Sequence, residues 1–314
     1  MTSPQANGLS SSRMPRQTRF PVTGPLDLRR TVRGTAQWGA STWLRTDHTG
    51  AWYAERTEEG PATVRLVLDG PTLTATAWGP GADRLLERTP AIAGLEDEEA
   101  PVVVAHHPVV EQALRHARGL RIGRLDRILP TLVGAIVGQK VTGLESQRSL
   151  RRLARRYGQR APGPRDDLWL LPSARTLRGL PYAAYHPLGI DRRRAMVVIE
   201  VARRANRIEQ LVGQPSTEID RKLQTLRGIG PWTTGVVIHE ALGDPDALPI
   251  GDYHLPNVIA YNLAGEPRAD DARMLQLLEP YRGQRGRVVR LLKLFGSTPP
   301  KWGPRSEARD ISSF

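Results

Sequence analysis

Between Thr63 and Ala77 the apolar side chains fall on every second position. Val64, Leu66 and Leu68 alternate with Thr63, Arg65 and Val67, and beyond Asp69-Gly70-Pro71 the residues Leu73, Ala75 and Ala77 alternate with threonines. A period of two marks a strand with one buried face, and the Asp-Gly-Pro break is turn chemistry, so the pattern predicts a hairpin. Upstream, Trp38 through Arg45 and Ala51 through Thr57, separated by Asp47-His48-Thr49-Gly50, read as two more strands. Three or more strands with an apolar face make a small antiparallel sheet, whose core should take Trp38, Trp43, Trp52 and Trp78. A short helix within 82–98 leads into the acidic linker Gly94-Leu95-Glu96-Asp97-Glu98-Glu99, and the sheet should give way to helices at about residue 100.

Past that point the spacing becomes three and four. Leu129, Leu132, Val133, Ile136, Val137, Val141 and Leu144 predict one long amphipathic helix, capped by Asp126 and running to Tyr157-Gly158. His107-Pro108 opens a helix before it; Ser173 and Asp191 cap two after it, the second with Ala195, Val198, Ile199, Ala202 and Ala205 on its buried stripe. Further helices lie around Val258–Tyr261, around Met274, Leu275 and Leu278, and around Val288–Leu292. The expected class is α+β: a disordered tail over 1–15, an N-terminal antiparallel sheet module over 16–100, a mostly α-helical body over 101–295 and a C-terminal tail over 296–314.

One stretch of the helical body carries more than packing. Ser216 or Thr217 can cap a short helix with Ile219, Leu223 and Leu226 on one face, followed by Arg227-Gly228-Ile229-Gly230-Pro231-Trp232-Thr233-Thr234-Gly235. Gly228 and Gly230 permit positive φ and close backbone approach, and Pro231 suits the first turn of a new helix. The product is helix, tight hairpin, helix, with amide N–H groups at the hairpin and the next helix start forming a positive pole suited to a phosphate. Asp252 follows 22 positions after Gly230, in Leu248-Pro249-Ile250-Gly251-Asp252-Tyr253-His254.

From Leu226 to Asp252 the chain resembles the helix-hairpin-helix superfamily of DNA glycosylases, and Trp232 makes it most similar to the DNA-3-methyladenine glycosylase II branch. The resemblance covers about residues 105 to 292, and the sheet module only in outline. It implies a hairpin that grips the DNA backbone through Gly228, Gly230 and Thr233, and a catalytic carboxylate at Asp252. It implies a substrate pocket containing Trp232 and, by a weaker local match, Tyr281. In Ala135-Ile136-Val137-Gly138-Gln139-Lys140 it places Gln139 beside DNA and Lys140 where the family inserts a side chain into the gap left by the extruded nucleotide. Lys140 departs from the apolar wedge found there; its stem could enter the gap with the ammonium near a phosphate, or it could be a plain solvent-facing lysine. Val236, one turn after Trp232, stands where the family has a tyrosine, which points to a less aromatic pocket.

Charge adds to this picture. Lys and Arg number 45 against 32 Asp and Glu, a net charge of +13, and the pI of about 10.8 suits a polyanionic partner. Arg148, Arg151, Arg152, Arg155 and Arg156 form either a solvated basic face or a DNA contact, and Arg192-Arg193-Arg194 sits at a helix start that disfavours cations. The absence of cysteine excludes disulfides, zinc–thiolate sites and iron–sulfur clusters, and with them the cluster-bearing relatives. No run approaches the roughly 18 apolar residues that cross a bilayer, and none at the N-terminus has signal-peptide length, so a cytoplasmic, nucleoid-associated protein without membrane contact is expected.

Loss of an alkylated purine leaves an oxocarbenium-like sugar that one ionised carboxylate can stabilise, and the cationic base leaves without protonation. Trp232 cannot form the Schiff base that a lysine at that position would. The expectation is therefore a monofunctional glycosylase, a monomer acting on damaged double-stranded DNA and leaving an abasic site. No cofactor is required, although the family resemblance allows a monovalent cation at the hairpin carbonyls. Two other readings stay open: a glycosylase for oxidised or deaminated bases, and a non-catalytic helix-hairpin-helix DNA-binding protein. For all three, affinity should fall steeply with salt as phosphate contacts release counterions.

Overall fold

The computed structural model describes residues 14–36, 40–97 and 103–300. The expected N-terminal tail up to residue 13, Trp38, the sheet-to-helix boundary near residue 100 and the C-terminal tail beyond residue 300 lie outside the described residues. The protein is α+β. Strands β1 (Arg16–Pro21), β2 (Leu44–Asp47), β3 (Gly50–Arg56), β4 (Pro61–Asp69) and β5 (Thr72–Trp78) form one antiparallel sheet in the order β1-β5-β4-β3-β2. Leu66 lies opposite Ala75 and Leu68 opposite Leu73. Val64, Leu66, Leu73, Ala75 and Ala77 share the buried face, as a period of two requires. The region expected to begin a strand at Trp38 is instead helical at Ala40–Trp43, with the strand starting at Leu44. Trp43 and Trp52 are buried, and Trp78 is half-buried, stacked on Trp52 at 5.5 Å.

The helical body packs around a second core. Its central feature corrects the expectation of one long helix. The chain forms α1 (Ile128–Gly138), breaks at Gln139–Thr142, and restarts as α2 (Gly143–Tyr157). Lys140 adopts φ +55°, a left-handed conformation that costs a non-glycine residue roughly 1–2 kcal/mol. The Thr142 hydroxyl accepts from Glu145 N–H while the Glu145 carboxylate accepts from Thr142 N–H, a capping box that restarts the helix. Leu144, counted on the buried stripe, is exposed. Asp126 does not cap α1. It sits at φ +48° paired with Arg124, and the Ile128 and Leu129 amides donate to the Glu209 carboxylate instead.

Next come α3 (Arg192–Arg203), α4 (Ser216–Gln224), α5 (Pro231–Glu240), α6 (Leu255–Ala264), α7 (Asp271–Leu278) and α8 (Arg285–Phe295). Asp191 caps α3, accepting from Arg194 N–H at 3.0 Å. The α4 start differs from expectation: Pro215 occupies the cap position and no side chain caps it. Two buried arginines of α8 tie the body to the sheet module. Arg287 makes a two-pronged ion pair with Asp97 of the acidic linker at 2.6 and 2.8 Å, while Arg290 donates to the carbonyls of Arg30, Thr31 and Arg121. These cations stabilise the assembly and are not presented to solvent.

Candidate active site

The hairpin between α4 and α5 is tight because Gly228 takes φ +91°, and because a Cβ there would lie 2.4 Å from a methyl of Val197 on α3. Gly230 differs from expectation. Its φ is −124°, extended backbone open to any residue, and a Cβ on it would meet nothing within 4 Å. No internal packing therefore demands the second glycine; it keeps the approach to the helix start clear. Pro231 brings no N–H and the Thr234 amide closes on the Gly230 carbonyl at 3.1 Å, so the Trp232 and Thr233 amides come first at the positive end of α5.

The turn that presents Asp252 is held against α5 by a second close approach. A Cβ on Gly235 would lie 2.1 Å from the Leu248 carbonyl oxygen and 2.7 Å from Pro249 Cα, so only a glycine lets this segment lie flat on the helix. Gly251 then adopts φ +89°, and the chain turns through the Asp252 N–H to Pro249 carbonyl bond. The half-buried carboxylate of Asp252 is held by three donors. Oδ1 accepts the His254 and Leu255 amides at the start of α6, each at 2.9 Å. Oδ2 accepts the indole Nε1–H of Trp232 at 2.9 Å. The carboxylate thus serves as a helix cap and as the partner of the tryptophan, and it still faces the cleft.

That cleft has a volume of about 1010 Å³, and its lining includes Gln139, Lys140, Gly228, Gly230, Trp232, Thr233 and Asp252. The break between α1 and α2 is what brings Gln139 there. Its amide Nε2 donates to the Gly228 carbonyl at 2.9 Å and the Thr233 hydroxyl at 3.0 Å, joining the α1–α2 turn to the hairpin. Arg194 secures the same turn from behind. It is buried, pairs with Asp191, and donates to the Val137 carbonyl at 2.7 Å near the C-terminal end of α1. An arginine in the first turn of α3 is therefore accommodated by interior partners. Of the arginines on α2, Arg148 and Arg152 line the cleft, one turn apart, and Arg193 of α3 joins them.

No family model matches the chain. Two curated relatives come from Bacillus subtilis (strain 168). YfjP, named provisionally as a DNA-3-methyladenine glycosylase, is 31% identical over 124 residues, covering 37% of this chain and 43% of YfjP. A DNA-3-methyladenine glycosylase is 22% identical over 182 residues, covering 56% of this chain and 59% of the relative. The chain spans about half the length of the curated relatives it matches. Among solved structures, the 3-methyladenine DNA-glycosylase from Archaeoglobus fulgidus superposes with a TM-score of 0.74 at 15% identity, covering 89% of this chain and 98% of that one. The two chains share one fold. The Clostridium acetobutylicum 8-oxoguanine glycosylase/lyase, solved with double-stranded DNA, shares it at TM-score 0.67 and 12% identity, over 90% of this chain and 96% of that one.

Within this fold one expected pocket residue is placed elsewhere. Tyr281 is 4% exposed, packed among Met274, Leu278 and Val288 with His106 edge-on at 5.4 Å, and it does not line the cleft. Its aromatic character is used in the core. Thr233 is also buried, and its hydroxyl is engaged by Gln139, so its amide is the group at the helix start. Tyr253 was not singled out by sequence. It is 85% exposed at the cleft, edge-on to His254 at 4.8 Å. Its place immediately after Asp252 was the available signal. Among the described residues no cluster of His, Asp and Glu is arranged to hold a metal ion, and no helix is long and apolar enough to cross a membrane.

Proposed function

We propose that the protein is a monofunctional DNA glycosylase that extrudes alkylated purines from duplex DNA and hydrolyses their glycosidic bond, leaving an abasic site. One observation carries the reading: Asp252 faces a basic cleft, its oxygens locked by Trp232 and the start of α6, within the same cleft wall as the hairpin and Gln139. The names of the curated relatives and of the Archaeoglobus neighbour support the substrate class.

In this mechanism the amides at the start of α5, with Gly228 and Gly230, receive a backbone phosphate, and Arg148 and Arg193 add charge along the groove. Extrusion of the damaged nucleotide costs a few kcal/mol, least where pairing is already weakened. Lys140 and Gln139 stand at the turn that faces the vacated position. Asp252 stabilises the positive charge developing on the sugar and orients the attacking water. Trp232 holds the carboxylate and offers its ring to a cationic base, an attraction of about 0.5–2 kcal/mol. The base carries its own positive charge, so no protein acid is needed. A monovalent cation, if bound at the hairpin, would be held by its backbone carbonyls, of which that of Gly228 already accepts from Gln139.

Position 232 holds tryptophan, so that position supplies no amine to form a Schiff base. Among the described residues, Lys140 is the only lysine lining the cleft. The test is incubation with methylated duplex DNA carrying 3-methyladenine and 7-methylguanine, with free base and strand scission followed separately. Release of methylated purine with an intact strand, and no borohydride-trapped adduct, is expected. Trapping of a covalent complex would overturn the monofunctional assignment, and no release of any base would overturn the enzyme.

A further inference from the structure

Beyond Asp252 the cleft meets a second recess of about 250 Å³, bounded by α5, the first turns of α6, and α8. Among the described residues, Asp252 and His254 alone border both spaces. The junction of a groove that takes a DNA strand with an inner recess is where a sugar meets its extruded base. The two side chains at that junction are therefore those placed to act on the bond between them. His254 is fixed there through its backbone. Its amide donates to Asp252 Oδ1 at 2.9 Å, and its ring lies edge-on to Tyr253 at 4.8 Å. The residue is exposed, and among the described residues no hydrogen bond engages either ring nitrogen. An imidazole so presented can hold or release a proton near neutral pH.

The other ionisable groups around the recess are committed elsewhere. On α5, His239 has its Nδ1 3.2 Å from the Asp244 carbonyl, and burial holds it down at about 4, so it is neutral at physiological pH. Glu240 beside it is buried and interacts within the protein, as does Lys293 of α8. Arg290 donates to three carbonyls, and a guanidinium keeps its proton. Asp271 of α7 accepts the Gly251 amide at 2.9 Å. On the cleft side the charged groups belong to the Gln139–Thr142 turn, α2 and the start of α3.

We propose that His254 is a general acid: as imidazolium it protonates a ring nitrogen of an extruded neutral purine, which extends the enzyme to deaminated bases such as hypoxanthine. The inference rests on the glycosylase reading of Asp252 and deepens it. An alkylated purine carries positive charge and leaves as a neutral molecule, whereas unprotonated hypoxanthine would have to leave as an anion. With the proton supplied, the C1′–N9 bond breaks and both its electrons move to the base. The imidazolium N–H becomes an N–H of the base, and water oriented by Asp252 adds to C1′. The proton released by that water passes through Asp252 to solvent, and the imidazole regains one from solvent before the next turnover.

Single-turnover release of hypoxanthine and of 7-methylguanine from otherwise identical duplexes, by wild type and His254→Gln between about pH 5.5 and pH 8, tests the assignment. Glutamine keeps the backbone amide that Asp252 accepts but cannot deliver a proton. Wild-type release of hypoxanthine should fall toward higher pH, approaching about tenfold per unit, and His254→Gln should lose that fall. At about pH 6 the variant should lower the ratio of hypoxanthine to 7-methylguanine release by at least about tenfold. Both rates come from one preparation, so their ratio does not depend on the folded fraction. A smaller change in the ratio, the same pH dependence in both proteins, or a wild type that releases 7-methylguanine and no hypoxanthine overturns the inference alone. A wild type that releases neither base would instead refute the glycosylase reading beneath it.

Discussion

Asp252 has two jobs in this structure, and one pair of substitutions separates them. Its Oδ1 caps α6 through the His254 and Leu255 amides, and its Oδ2 holds Trp232. Asparagine caps a helix about as well as aspartate. In Asp252→Asn the amide oxygen can keep both backbone bonds, but the NH2 group then meets the Trp232 N–H donor to donor. The expected loss of stability is one hydrogen bond to a charged group, about 1.5–3 kcal/mol at most and less where water replaces it. Asp252→Ala also removes the cap, a further 0.5–2 kcal/mol or about 1 kcal/mol typically. If the carboxylate were only a cap, Asn would retain activity and Ala would lose it in proportion to folding. If it stabilises the sugar cation, both lose the charge and base release should fall by about 10³-fold in each, a barrier increase of about 4 kcal/mol. The assay is single-turnover release of 7-methylguanine, with the folded fraction of each variant measured by urea denaturation. Release by Asp252→Asn within tenfold of wild type would refute the catalytic role while leaving the fold untouched.

Other outcomes follow from the same geometry. Gly235→Ala drives a Cβ into the Leu248 carbonyl and Pro249, and should cost about 1–3 kcal/mol in denaturation while slowing base release, because the displaced segment carries Asp252. Asp97→Ala leaves the buried Arg287 without its carboxylate and should destabilise by about 3–5 kcal/mol. Replacing both by a well-packed apolar pair should recover much of that loss. Burial, with Arg290 nearby, holds His239 down from 6.5 to about 4. The unfolded chain therefore takes up its proton first as pH falls, and up to about 3 kcal/mol of stability present above pH 6.5 is lost between there and pH 4. Thermal melts across that range should show a smaller slope for His239→Gln, and an identical slope would refute the assignment.

The sequence determined those parts of the molecule governed by neighbours in the chain. The period of two from Thr63 to Ala77 specified β4 and β5 with their buried face, Ser173 and Asp191 announced their helices, and Gly228 marked the one left-handed turn of the hairpin. The break at Gln139–Thr142 was also written locally, as Thr142-Gly-Leu-Glu145, but the apolar spacing runs on through it because both α1 and α2 pack on the same core, so periodicity alone joins them. Tertiary structure decided the rest. Charge counts cannot separate Arg148 and Arg193, which stand exposed along the cleft, from Arg194, Arg287 and Arg290, which are buried with their guanidinium groups bonded inside the protein. Tyr281, in the short turn between α7 and α8, went to the core with Met274, Leu278 and Val288, a placement set only when those two helices pack together. Local preference is encoded within a few residues; burial and the pairing of distant side chains exist only after the chain has closed on itself.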